Sequence, residues 1–235
     1  MNCYLDKRRY IYLKKRRNHI VEAYKYKIQS LNYGQIETLT YGKRTFESAI
    51  RKTATNEPIF LSKLGLAGDE HAYKDHGGVD KALCLYPYDY YQYWNKIIKN
   101  SVETALFGEN ITSVGLTEEN AHIGDVFTFG EAIIQVSEPR NPCHKLAAKY
   151  EVPDMVVQMR ETGYTGFLFR VLQEGMVSAR DELILLEKEP HEVPVSLVNN
   201  VKFKDRFNKE KLSRILQVRA LSDSLKTILL KQYES

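Results

Sequence analysis

The stretch Asn110-Ile-Thr-Ser-Val-Gly-Leu-Thr-Glu-Glu-Asn-Ala-His-Ile-Gly-Asp-Val-Phe-Thr-Phe-Gly-Glu-Ala-Ile-Ile-Gln-Val136 carries the reading of the fold. Ile111, Val114, Ile123, Val126, Phe127, Phe129, Ile133, Ile134 and Val136 alternate or come in short bursts, punctuated by Gly115, Gly124 and Gly130. That pattern predicts several β-strands in succession. From Tyr26 onward the same texture appears: Ile28, Leu31, Ile36, Leu39, Ile59 and Leu61 lie in short segments broken by Asn32, Gly34, Gly42, Asn56 and Pro58. After Leu61, the crowding of Gly65, Gly68, Gly77 and Gly78 predicts loop between strands, where glycine allows positive φ or close approach of a ligand. Gly166 to Leu172 and Leu183 to Glu187 read as closing strands.

Helices interrupt this pattern. Tyr90, Tyr91, Trp94 and Ile97 or Ile98 recur at three- and four-residue steps within Pro87 to Asn100, an amphipathic helix whose aromatic stripe is read as core. Asp154 to Glu161 reads as a short helix ended near Gly163. Beyond Pro190 and Pro194 the period changes, with Leu212, Ile215 and Leu216, then Leu221, Leu225, Ile228 and Leu229, and Ser222 as an N-cap. So few apolar groups cannot make a stable core alone, so this helical tail should pack on something. The expected fold class is mainly β with helices (α+β): a basic extension over 1–25, a main domain over 26–188 and a helical appendage over 191–235.

A chain of 235 residues, 43% hydrophobic and 27% charged, suits a globular protein with one sizeable core. No apolar run of about 18 residues occurs, so no membrane span is expected. Lys14, Lys15, Arg16 and Arg17 interrupt any signal-like run near the start, and the expected location is cytoplasmic. Cys3, Cys84 and Cys143 make an odd count without paired spacing, which predicts free thiols in a reducing compartment. The net charge of +4 comes largely from Lys7, Arg8, Arg9 and the Lys14 to Arg17 run, so nucleic acid is not the expected partner. No GxGxxG and no Walker lysine loop is present, which removes dinucleotide and nucleoside triphosphate binding.

The chemistry concentrates in Glu138-Pro139-Arg140-Asn141-Pro142-Cys143-His144-Lys145-Leu146. Two prolines stiffen this loop. Arg140, Lys145 and His144 bring positive charge to the Cys143 sulfur, and a helix starting at Leu146 would add its dipole, all favouring the thiolate. A thiolate attacks electrophiles or binds a soft metal; the competing reading is a small buried hydrophobe. Cys84, within apolar Ala82 to Tyr86, is read as core. A second group is Gly68-Asp69-Glu70-His71 followed by Asp75-His76-Gly77-Gly78-Val79-Asp80-Lys81. Gly77 and Gly78 could expose backbone N–H groups to an anion, with Lys81 adding charge. A metal site on His71 and His76 is the alternative, though its spacing matches no zinc template. Glu109 and Asn110 precede a strand, and Arg170 in the apolar run Phe167 to Val171 must point outward or pair with an anion.

These motifs, in this order, resemble the MOSC domains, and in particular their YiiM-like branch: Leu-Gly-Leu-Ala-Gly-Asp-Glu from Leu64, His-Gly-Gly-Val-Asp-Lys-Ala from His76, Phe-Gly-Glu-Asn-Ile from Phe107, Ile-Gly-Asp from Ile123, Pro-Arg-Asn-Pro-Cys from Pro139, and the Gly166 to Val171 strand. The resemblance covers about Tyr26 to Glu187, and the tail is similar to the three-helix appendage of that branch. It implies a β-barrel-like domain whose pocket holds the molybdenum cofactor, a mononuclear molybdenum on a pterin dithiolene. Cys143 would be the metal ligand. Arg140, Lys81 and Arg170 would meet the cofactor phosphate and pterin, with His76, Gly77, Gly78, Glu109, Asn110 and Lys145 about the site, and Glu109, His76 or His144 delivering protons. The implied activity is oxidoreduction, the reduction of small N-hydroxylated substrates to amines. Electrons would come from a separate flavoprotein or small redox carrier, because the chain has no flavin or nicotinamide motif. Two other readings stay open: a persulfide carrier using Cys143, and a non-enzymatic pterin-binding module.

Overall fold

The computed structural model describes residues 24–41, 43–73, 76–98 and 101–235. The basic run ahead of Tyr24 lies outside the described residues. In the first strand, β1 (Lys25–Tyr33), Lys25, Lys27 and Gln29 face out while Ile28, Ser30 and Leu31 are buried, the period-2 alternation of a strand with one face on a core.

The hairpin β2 (Glu37–Tyr41) and β3 (Arg44–Ser48) comes next, then β4 (Thr53–Thr55), β5 (Ile59–Ser62) and β6 (Gly65–Leu66). Beyond them come β7 (Leu83–Pro87), β8 (Ile111–Val114), β9 (Val126–Phe129), β10 (Ala132–Pro139), β11 (Phe167–Gln173), β12 (Gly175–Val177) and β13 (Glu182–Glu187). Seven strands close on themselves in the order β13-β9-β10-β11-β7-β8-β1, with β1 returning to β13 through Lys25 opposite Ile184. The result is a β-barrel, and closure protects edges that an open sheet would leave unpaired. β7 and β8 run parallel, Leu85 beside Ile111; the other barrel pairs are antiparallel. β4 adds to β1, and β12, β5 and β6 form a small separate sheet.

β10 decides where the site sits. The sequence pattern ends this strand at Val136, whereas it runs on to Pro139. A bulge lets it continue: Val136 pairs with Phe169 and Glu138 with Leu168, leaving Ser137 extra. Ser137 Oγ donates to the carbonyls of Asp80 at 2.6 Å and Leu168 at 3.0 Å. Such a bulge bends the strand and re-aims the residues beyond it. Pro139 tolerates the last position because no ladder donor is needed there.

The first helix, α1 (Tyr91–Ile97), comes after a 3-10 turn at Tyr88–Tyr90 and buries Tyr91 and Trp94, so the aromatic stripe is core as expected. It sits in a cluster with Ile50, Tyr86, Leu106, Phe107, Leu146, Met155 and Met159, beside the barrel's own core. α2 (Lys145–Tyr150) and α3 (Met155–Thr162) come next, α3 ending at Gly163 with φ of 78°.

The tail forms α4 (Val195–Phe203), α5 (Lys209–Leu216) and α6 (Asp223–Glu234). Ser222 caps α6 by accepting from the Leu225 N–H at 3.2 Å. The tail packs on the barrel itself: Val198, Val201, Leu212, Ile215, Leu225 and Leu229 share one apolar cluster with Phe127, Ile134, Val136 and Phe169.

Candidate functional site

Beyond the β10 bulge, Arg140 N–H bonds the Gly166 carbonyl at 3.0 Å, which carries the strand pairing one step further before the chain turns. Pro142 is buried, Cys143 is half-buried, and α2 begins at Lys145. This loop forms one side of a cavity of about 550 Å³. His71, His76 and Lys81 come to it from the glycine-rich segment, Cys84 and Asn110 from the barrel, and Lys52 from the chain before β4.

The structure brings His76, Lys81, Asn110, Arg140, Cys143 and Lys145 to the same cavity, although they are dispersed over the sequence. Asn110, Lys145 and Arg140 are held by the protein's own groups, and Lys81 pairs with Glu138 at 3.5 Å. Asn110 Oδ1 accepts from Cys84 N–H at 3.0 Å, and its Nδ2 donates to Asp69 at 2.8 Å. The Lys145 ammonium bonds the Glu47 carbonyl and lies 3.9 Å from the centre of the Tyr73 ring, so it ties the loop to β3. Arg140 Nη2 holds the Phe107 carbonyl at 2.5 Å, while its Nη1 is buried without a partner among the described residues.

The other expected site residues, Glu109, Arg170, Gly77 and Gly78, do not line this cavity. Glu109 is fully buried away from the lining; its carboxylate bonds the Tyr91 hydroxyl, Thr112 Oγ1 at 2.9 Å and Phe107 N–H at 2.9 Å. It fastens α1 and the loop at Phe107 to the barrel. Arg170 does pair with an anion, but that anion is Asp80 at 2.8 Å; it also reaches Gln135 and the Ala220 carbonyl. The guanidinium joins barrel, pocket loop and tail. Gly77 packs its bare backbone on the His71 ring, where a Cβ would lie 3.3 Å from Cγ, and Gly78 opens a turn closed by Lys81 N–H; neither lines the cavity.

Sequence reasoning missed Cys84 and Arg160 as lining groups and weighed His71 only as a metal ligand. Cys84, expected in the core, touches the cavity, and burial pushes its thiol pKa up against the pull of Arg140. His71 lines the cavity with its Nε2 4.0 Å from Asp69, a carboxylate fully shielded and shared with Lys52, Asn110 and Gly34 N–H. Arg160 on α3 closes another side. The signal for His71 lay in its Gly-Asp-Glu-His context; for the others the sequence held none, because contact with the cavity depends on chain crossings far apart.

Burial, then the charges of Lys145, Arg140, His71 and Lys81, hold His76 below its ordinary pKa. Burial also lowers His71, with Asp69 opposing. Both imidazoles are therefore neutral near pH 7. Lys145 is lowered by burial against the pull of Cys143 and Glu47. The lining as a whole is cationic, relieved by Glu70 and Glu138, and favours an anionic guest.

The family model of the MOSC domain matches residues 72–184. The chain belongs to that family. Within it the chain falls in the YiiM-like branch. It is 42% identical to the uncharacterized protein YflK of Bacillus subtilis (strain 168), over 88% of this chain and 95% of that one. It is 39% identical to the protein YiiM of Escherichia coli (strain K12), over 81% and 85%. The crystal structure of YiiM from Geobacillus stearothermophilus superposes with a TM-score of 0.76 at 33% identity, over 88% of this chain and 99% of that one.

Proposed function

We propose that this chain is a molybdenum-cofactor-dependent oxidoreductase that converts N-hydroxylated compounds to amines, with Cys143 as the protein ligand to the metal. The observation that carries the reading is a half-buried cysteine, presented by a stiff loop, on the wall of a cationic cavity. Membership of the MOSC family supports it. The residues fit such a group: a soft sulfur donor, an Arg140 Nη1 buried without a partner among the described residues, and a volume within the roughly 300–1,000 Å³ of ligand pockets.

When bound, the cofactor supplies the two-electron exchange at the N–O bond. The protein's own residues hold and orient. The Cys143 thiolate would hold the metal, and Arg140 and Lys81 would meet the anionic part of the pterin. Lys145, anchored on β3, keeps the loop in place. His71 and His76, neutral in the cavity, pass protons inward from solvent, and Asp69 steadies the His71 ring. Two electrons and two protons break the N–O bond and release amine and water. The electrons come from a separate flavoprotein or small redox carrier.

The test is metal and pterin analysis of protein made in a host that synthesises the cofactor. Wild type should carry both in near-equal amount with protein, Cys143→Ala should lose them, and Cys84→Ala should keep them. Full loading of Cys143→Ala overturns the ligand assignment. Loaded wild type that leaves an N-hydroxylated purine and an amidoxime untouched, with a chemical reductant supplied, overturns the reaction. Cyanide-releasable sulfur without metal points instead to a persulfide carrier.

A further inference from the structure

Val136 of β10 faces the barrel core, and strict alternation would turn Glu138 inward after it. The extra residue at Ser137 offsets that alternation, and Glu138 and its strand partner Leu168 instead reach the cavity that Cys143 lines. A carboxylate is thereby set on a mostly cationic wall, five residues before the cysteine on the same stretch of chain.

The fold leaves this carboxylate short of donors. Its side chain is 7% exposed, and Oε1 is buried with no hydrogen-bond partner among the described residues. Lys81 Nζ, at 3.5 Å, balances the charge from beyond the roughly 2.7–3.2 Å of an N–H···O bond. Arg140, two residues on, has the opposite lack, since its Nη1 is buried with no acceptor among the described residues. The two side chains line one cavity, yet no ion pair within 4 Å joins them. Glu70, the other carboxylate of the described lining, differs: it is exposed, and its Oε2 accepts from Ile36 N–H at 2.7 Å.

An ionised carboxylate can only accept hydrogen bonds, and shielding one without donors is unfavourable. The missing donors then come from whatever fills the cavity. The N–H edge of an amidine, an amino group on a carbon that bears a second nitrogen, suits this position. It meets a carboxylate with one or two charge-assisted bonds and brings no competing oxygen. We propose that Glu138 is the acceptor for such an edge on the guest of this cavity. Resting on the function proposed above, two guests carry that edge, the pterin ring and an amidoxime substrate, and measurement separates them.

Calorimetric titration of the full chain with benzamidine and with benzamide, which differ in that edge, reads the acceptor without turnover. Benzamidine should bind at least about tenfold more tightly; Glu138→Gln should abolish the preference, Glu138→Asp should keep part of it and Glu70→Gln should keep all of it. Equal affinities in the wild type overturn the proposal, as does an undiminished preference in a Glu138→Gln protein with the wild-type melting temperature. In protein made in a host that synthesises the cofactor, a pterin content of Glu138→Gln at or below about a tenth of wild type assigns the edge to the pterin. Wild-type pterin content with an about tenfold fall in kcat/KM for benzamidoxime relative to benzhydroxamic acid, where a carbonyl oxygen replaces the amino group, assigns it to the substrate. A variant that changes neither overturns the proposal. If the benzamidine preference follows Glu138 while neither N-hydroxylated compound is reduced by the wild type, the acceptor stands and the proposed reaction fails.

Discussion

Arg170 donates to acceptors on three segments that are distant in sequence: Asp80 before β7, Gln135 in β10 and the Ala220 carbonyl between α5 and α6. The ion pair is mostly shielded, with side-chain exposures of 18% and 25%. Removing one partner leaves a carboxylate in poor contact with water, so Arg170→Ala should cost about 2–3 kcal/mol in denaturant unfolding. Metal content of the folded variant should stay at the wild-type level, and a selective loss of cofactor would return this residue to the binding site. Glu118 is a second informative residue. It is buried, its Oε1 accepts from Thr165 N–H at 2.9 Å and Gly166 N–H at 2.6 Å, and burial raises its pKa to about 7. A carboxyl whose folded pKa lies above its unfolded value adds stability below the unfolded value and loses it as pH rises through the folded one. The unfolding free energy of wild type should therefore fall between about pH 4.5 and 7 relative to Glu118→Gln, by an amount of order 1–3 kcal/mol. Parallel profiles for the two proteins would remove Glu118 as the cause.

At the scale of elements, the β10 bulge and the turn before β11 act together. Gly166 has φ of 74°, and a Cβ there would lie 2.4 Å from the Leu85 carbonyl oxygen, so this position admits glycine alone without a shift of β7. Its carbonyl is also the acceptor for Arg140 N–H. Packing at one tight turn thus reaches the start of the cysteine loop. On α6 the Ser222 cap is a local device, and it satisfies one donor that the first turn would leave open. Ser222→Ala should reduce stability by about 1 kcal/mol in chemical denaturation, without altering ligand binding at the distant Cys143 loop. A loss several times larger would show that the Ser222 N–H bond to the Ser137 carbonyl is disrupted as well.

At the scale of the whole molecule, the tail completes the barrel's apolar packing. Val198, Val201, Leu212, Ile215, Leu225 and Leu229 are almost wholly shielded, and they share their cluster with barrel residues. Each such side chain contributes roughly 1.5–3 kcal/mol by leaving water. A chain ended at Lys188 should therefore expose the matching barrel face and be recovered as aggregate, read by light scattering after expression. A soluble truncated barrel with a cooperative melt would show that the main domain is independent of its tail.

Period and punctuation were legible from the residues alone. Alternation gave the strands of the barrel, the three- and four-residue steps gave α1, α5 and α6, and Gly163 and Ser222 marked the end of α3 and the start of α6, whereas α4 showed no such period. The two-residue β6 and the three-residue β12 were not legible, being too short to show a period. The proline-framed loop singled out Cys143, since local chain stiffness and nearby charge are written in consecutive residues. The destinations of Glu109, Arg170 and Cys84 were not, because a buried polar group is assigned by whichever partner the fold brings within about 3 Å. Tertiary structure decided those partners, through contacts between segments that no local pattern connects.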